Sequence, residues 1–125
     1  MTYRPFPGRH EDTVALVTGS THGIGLGIAR RLAREGAAVV INDQGAHDGA
    51  AVAAALRDAG ADATYVEADA CDPDAVERLV AEAVAEYGRI DTLVNNVATW
   101  RHQPLDETEL NDWSFVVDGA VRGHW

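Results

Sequence analysis

At 125 residues, 46% of them apolar, the chain has the size and composition of one globular domain that can bury a core. Its formal net charge of −10, with no run of basic residues to offset it, argues against a nucleic-acid surface, since phosphates are repelled at long range. No stretch approaches the roughly 20 apolar residues of a membrane span, the opening MTYRPFPGRHEDT lacks an apolar leader core, and Cys71 is the only cysteine, so the expectation is a cytoplasmic chain without disulfides, membrane or nucleic-acid partners.

Residues 1–12 read as an extension ahead of a single domain spanning 13–125. TVALVTG (13–19) is an apolar run that reads as a first strand. Glycines follow at 19, 23, 25 and 27, while Ile24, Ile28 and Leu32 recur four apart, predicting a helix that Gly36 stops. AAVVIND (37–43) is continuously apolar up to Asn42, as a strand buried on both faces should be. Val52, Ala55, Leu56 and Ala59 then predict a second helix face, closed by Gly60. A third strand, ATYVEAD (63–69), leads to Asp72 as a cap and Pro73 at the first helical position. Val76, Leu79, Val80, Ala83, Val84 and Tyr87 line one face of this third helix before Gly88. DTLVNNV (91–97) is a fourth strand, followed by the polar loop TWRHQPLDETE. A fourth helix opens near Asn111, with Trp113, Val116, Val117 and Ala120 on one side, and runs out at Trp125.

Strand and helix thus alternate as βαβαβαβ, which predicts the α/β class: a Rossmann-like, doubly wound parallel sheet with right-handed crossovers. The glycines fall where the first strand hands over to the first helix. A helix N-terminus presents unpaired N–H groups and partial positive charge, which suit a phosphate. Side chains at Gly19 or Gly23 would hold a pyrophosphate off those amides, and Gly25 would let helix and strand approach closely. Asp43 ends the second strand about 20 residues further on, where a carboxylate meets the hydroxyls of an adenosine ribose. The alternative for Asp43 is a turn cap within NDQG. A carboxylate there repels a 2′-phosphate, which favours NAD over NADP, although His22 and Gln44 keep NADP open.

Thr18-Gly19-Ser20-Thr21-His22-Gly23-Ile24-Gly25 fits the pattern TGxxxGxG, and the sequence resembles the short-chain dehydrogenase/reductase family, as its N-terminal, cofactor-binding half. Asp43, the Asp69-Ala70 pair, Asn95-Asn96-Val97-Ala98 and WSFVVDGAVRGHW fall in the order of that family's later landmarks. The resemblance implies that Gly19, Ser20, Thr21, His22, Gly23, Ile24 and Gly25 form the pyrophosphate turn, that Asp43 holds the ribose, and that Asp69 and Ala70 flank the adenine. It also implies that Asn95, Asn96 and Ala98 line the cofactor beyond the crossover, and that the complete protein is a homo-oligomer. The turn glycine of the family's NNAG is Ala98 here, and its fourth-helix asparagine is Ala120.

The family's proton relay pairs a tyrosine with a lysine four residues on, because a phenol that titrates near 10 needs a neighbouring cation to work at neutral pH. All ten basic residues here are arginine, and the four-residue neighbours of Tyr3, Tyr65 and Tyr87 are Pro7, Asp69 and Asp91. No catalytic residue is therefore assigned; His102, beside Trp100 and Arg101, reads as a solvated loop histidine ahead of a general acid. No HxH or HExxH spacing points to a metal. The expectation is the cofactor half of an NAD-dependent oxidoreductase acting on an alcohol or ketone, continued in a longer protein and inactive alone. A non-catalytic dinucleotide-binding module is the alternative, and a scaffold without cofactor would leave the glycines and Asp43 without purpose.

Overall fold

The computed structural model describes residues 8–124; residues 1–7 of the extension, Tyr3 and Pro7 among them, and Trp125 lie outside the described residues. Four strands, β1 (Val14–Val17), β2 (Ala38–Asp43), β3 (Ala63–Glu67) and β4 (Thr92–Val94), alternate with helices α1 (Gly23–Arg34), α2 (Gly49–Asp58), α3 (Pro73–Tyr87) and α4 (Leu110–Ala120). All pairings are parallel and the strand order is β3-β2-β1-β4, with Val14 opposite Ala38, Ala15 opposite Thr92 and Val39 opposite Ala63. The doubly wound parallel sheet expected from the sequence is present. Among the described residues, no helix is long and apolar enough to cross a membrane.

Alternation along β1 divides the core. Ala15 and Val17 join Val39, Ile41, Ala29, Ala33, Ala53 and Leu56 on the side of α1 and α2. Val14 and Leu16 join Val40, Val66, Ala75, Leu79 and Ala83 on the side of α3. Right-handed crossovers require this split. The chain steps outward from β1 to β3 and then returns across the sheet to β4, so the third crossover lies on the opposite face. The crevice where the direction reverses, at the carboxyl ends of β1 and β4, is where such sheets place a ligand.

Three helix faces differ from the periodicity reading. In α2 the buried residues are Gly49, Ala53 and Leu56, while Ala55 and Ala59 are exposed. A ring at Tyr65 lies where a Cβ on Gly49 would stand, so β3 draws the N-terminal end of α2 inward and turns Ala53 to the sheet. In α3 the core stripe is Ala75, Leu79 and Ala83, with Val80 and Val84 exposed, because the short alanines let the helix lie close on the sheet. Tyr87 is half-buried and donates its hydroxyl to Asp62 Oδ1 (3.1 Å). In α4 it is Gly119 that is buried, against Thr99, while Trp113 and Ala120 are exposed. The helix has wound its glycine, not its aromatic ring, onto the loop after β4.

Caps fix the helix starts. Asp48 Oδ1 accepts from the Ala51 amide, Asp72 Oδ1 from the Asp74 amide, and Glu109 forms a capping box with Asp112. Helix α1 lacks any such side-chain cap.

Candidate functional site

The turn from β1 into α1 depends on backbone conformations that side chains disfavour. Gly19 (φ +60°) and Gly23 (φ +56°) occupy the left-handed region. His22 stands at the N-cap of α1 in extended conformation and its side chain accepts nothing from the first turn, which also contains no acidic residue. The amides of Gly23, Ile24 and Gly25 are thus left without an intrahelical acceptor, at the positive end of the helix dipole. A Cβ on Gly23 would meet nothing within 4 Å. Gly25 differs: it is buried, and a Cβ there would stand 2.3 Å from the Gly19 carbonyl oxygen and 2.6 Å from Asn96 Nδ2.

Asn96 ties the end of β4 to this turn. Its Nδ2 donates to the carbonyls of Thr18 (3.0 Å) and Gly19 (3.1 Å), and its amide donates to Thr18 Oγ1 (3.0 Å). Thr18 Oγ1 also accepts from the Val97 amide (3.3 Å). A second tie runs from β1 to β2. Ser20 is fully buried; its hydroxyl donates to the Val17 carbonyl (2.7 Å) and accepts from the Asn42 amide (3.0 Å). Asn42, also fully buried, donates through Nδ2 to the carbonyls of Val66 and Ala68. These bonds hold the ends of all four strands in register around the crevice.

Asp43, at the end of β2, is 6% exposed. Its Oδ2 accepts from the Thr21 hydroxyl (2.5 Å), and its Oδ1 from the Ala46 amide (3.0 Å). His47 Nδ1 lies 3.5 Å and His22 Nδ1 4.0 Å from Oδ2, and the two imidazoles stack with centroids 4.1 Å apart. Burial pushes the carboxyl up, but the Thr21 hydroxyl, the Ala46 amide and His47 outweigh it and hold the group below its ordinary range. Asp43 therefore both caps the NDQG turn, through Ala46, and presents a fixed carboxylate at the crevice.

A carboxylate whose folded pKa is depressed contributes stability that is present above its unfolded value and lost as pH falls toward the folded one. The unfolded value here is near 3.8. Thermal unfolding followed from about pH 7 to pH 3 should show this loss setting in near the ordinary carboxylate range, and Thr21→Val, which removes one donor, should flatten it. Identical pH slopes for the two proteins would refute the pairing.

A cavity of about 460 Å³ opens between these elements, lined by Gly19, His22, Gly23 and Ile24 of the turn, by Asp43, by Asp69 and Ala70 after β3, and by Asn96 and Ala98 after β4. Nine of the thirteen residues singled out in the sequence thus share one surface. Thr21, Ser20 and Gly25 stand behind it as buried supports. Asn95 is set apart: it faces a different cavity, beside Leu93 and Val121, and donates Nδ2 to the His124 carbonyl (3.3 Å). Neighbouring side chains along an extended segment point to opposite sides, so Asn95 and Asn96 cannot both face the crevice.

Asn42, Cys71, Val97, Thr99 and Trp100 also line the first cavity without having been picked out as site residues. The one signal for Asn42 was an amide closing an otherwise apolar strand. Trp100, 70% exposed, begins a loop that Asp112 clamps to α4 through Arg101 and through Gln103 Nε2 (2.6 Å). Arg101 also lies over the Phe115 ring, 4.6 Å from its centroid. Cys71 Sγ faces the Asp118 carbonyl (3.5 Å), and burial together with Asp69 pushes the thiol up, the opposite of a reactive cysteine.

A family model described as short chain dehydrogenase matches residues 13–124. The cis-4-hydroxycyclohexanecarboxylate dehydrogenase of Sinomonas cyclohexanicum is 46% identical over 115 residues, 90% of this chain and 45% of that protein. The 3beta-hydroxysteroid dehydrogenase of Mediterraneibacter gnavus is 40% identical over 115 residues, 91% of this chain and 42% of that protein. Among solved structures, a short chain dehydrogenase from Burkholderia cenocepacia J2315 in complex with NADP superposes with a TM-score of 0.85 at 38% identity, covering 92% of this chain and 47% of the other. The chain therefore spans a little under half the length of these relatives.

Proposed function

Because this chain belongs to the short chain dehydrogenase family, we propose that it forms the NAD-binding half of an oxidoreductase acting on an alcohol or ketone. The carrying observation is the meeting, in one cavity, of an uncapped helix N-terminus and a carboxylate held ionised. The first suits a pyrophosphate and the second a pair of ribose hydroxyls, at the carboxyl ends of parallel strands. The open space beside Gly23, where a Cβ would meet nothing within 4 Å, supports this fit.

In this reading the turn from Gly19 to Gly25 binds the pyrophosphate, with His22 and Ile24 at its rim. Asp43 takes the adenosine ribose, Asp69 and Ala70 flank the adenine, and Asn96 and Ala98 line the far side. Ser20, Thr21 and Gly25 act by holding the turn and Asp43 in place. Asn95 is better read as a tie to the segment after α4. When bound, the dinucleotide supplies hydride transfer, and the protein supplies orientation and electrostatics. Membership among dehydrogenases and reductases favours an enzyme over a non-catalytic module.

The same carboxylate would face a 2′-phosphate across a short gap, so NAD should bind more tightly than NADP by about tenfold or more. Calorimetric titration of the chain with each dinucleotide tests this, and equal affinities would overturn the preference. The 125 residues contain no lysine to pair with a tyrosine, so they should show no NAD-linked turnover of alcohols. Turnover above background would reveal an acid or base among the residues here.

A further inference from the structure

We propose that His22, Asp43 and His47 form a binding site for a zinc-class divalent cation at the edge of the dinucleotide crevice. Each residue offers one ligand atom, and the three atoms lie within 4.8 Å of one another. Tetrahedral zinc, with bonds of about 2.0–2.2 Å to nitrogen and oxygen, holds its ligand atoms roughly 3.3–3.5 Å apart. His47 Nδ1 is already 3.5 Å and His22 Nδ1 4.0 Å from Asp43 Oδ2, and the two rings, stacked with centroids 4.1 Å apart, must swing apart to aim both nitrogens at one ion. Solvent leaves both imidazoles the space for that swing, with side chains 61% and 48% exposed, whereas the carboxylate is buried. The Ala46 amide holds Oδ1, and the Thr21 hydroxyl meets Oδ2, so the carboxylate is oriented from behind as the ligands of a metal usually are. Thr21 Oγ1 also lies 3.3 Å from His22 Nδ1. Two nitrogens and one or two oxygens, with room for water on the exposed side, make a donor set that imidazole-loving cations prefer to calcium or magnesium.

A cation bound here occupies Asp43. Cation and dinucleotide therefore exclude one another, a consequence that rests on Asp43 holding the ribose.

Cobalt(II) serves as the probe, titrated into the chain and then displaced by zinc, with the visible absorption of the tetrahedral ion as readout. The expected result is one equivalent with a tetrahedral band, its affinity lowered in His47→Gln and again in His22→Gln by at least the roughly 10–100-fold that losing an outer-shell partner costs, but unchanged in His102→Gln. His47 and His102 are both exposed, so neither substitution disturbs the core. A band that is missing, or one that His47→Gln leaves intact, overturns the site. Added NAD should raise the apparent dissociation constant for zinc. Zinc binding that depends on His47 but ignores NAD keeps the cation site and removes Asp43 from the ribose. NAD binding without any zinc binding sinks the cation site alone.

Discussion

Alanine in place of Gly25 should destabilise the chain by about 1–3 kcal/mol or more and weaken dinucleotide binding with it. The added Cβ would stand 2.3 Å from the Gly19 carbonyl oxygen, where no side-chain rotation relieves the clash, and 2.6 Å from Asn96 Nδ2. Either α1 moves away from β1 or the Gly19 peptide turns. Both movements break the bonds from Asn96 to the Thr18 and Gly19 carbonyls that hold the turn in shape. For a domain of this size the fall in Tm should be several degrees per kcal/mol, read by thermal unfolding. Gly27 provides the control. It lies in the same helix, is exposed, and a Cβ there meets nothing within 4 Å. Gly27→Ala should raise stability by up to about 1 kcal/mol through helix propensity alone. If the two variants unfold at the same temperature, the close packing of α1 on the β1 turn is not what Gly25 provides.

Asp43→Asn should shift the preference between NAD and NADP by about 100-fold, the product of two effects of roughly tenfold each. The amide keeps the shape of the carboxylate. Its oxygen still accepts from the Ala46 amide, and its nitrogen can donate to Thr21 Oγ1, so the turn survives. The charge does not survive. Ribose hydroxyls lose a charge-assisted acceptor, worth about 1.5 kcal/mol or more. A 2′-phosphate loses a repulsion that is strong at short range in a half-buried site. His22 and His47, stacked beside the same atom, remain to favour the phosphate. Parallel titrations of both dinucleotides against both proteins measure the ratio. A ratio that stays within a factor of two of the unmutated one would remove Asp43 from the ribose site.

How far the sequence could be read depended on the range of the interaction involved. Strand and helix alternation, the caps at Asp72 and Gly88, the proline at the start of α3 and the positive-φ glycines of the first turn all follow from rules within a few residues, and each was legible. The parallel sheet also followed, because continuous apolar runs separated by amphipathic helices leave few other arrangements. The helix faces were less secure. In α3 Leu79 and Ala83 of the predicted face are buried, but Val80 and Val84 are exposed and Ala75 is buried in their place, since a helix approaches a sheet most closely where its side chains are short. Nothing in local periodicity says which of two apolar stripes will be used.

The sequence by itself determined the glycine turn, the carboxylate that ends β2, and the absence of any lysine to activate a phenol. Only the tertiary structure decided that Asn96 faces the crevice while Asn95 does not, and that Thr21 supports Asp43 across 22 positions of chain. It alone also brought His22 and His47 to the same carboxylate oxygen. The physical reason is that hydrogen bonds and ligand geometry act over about 3 Å in space whatever the separation along the chain. Composition and spacing register only the neighbours that the backbone itself supplies.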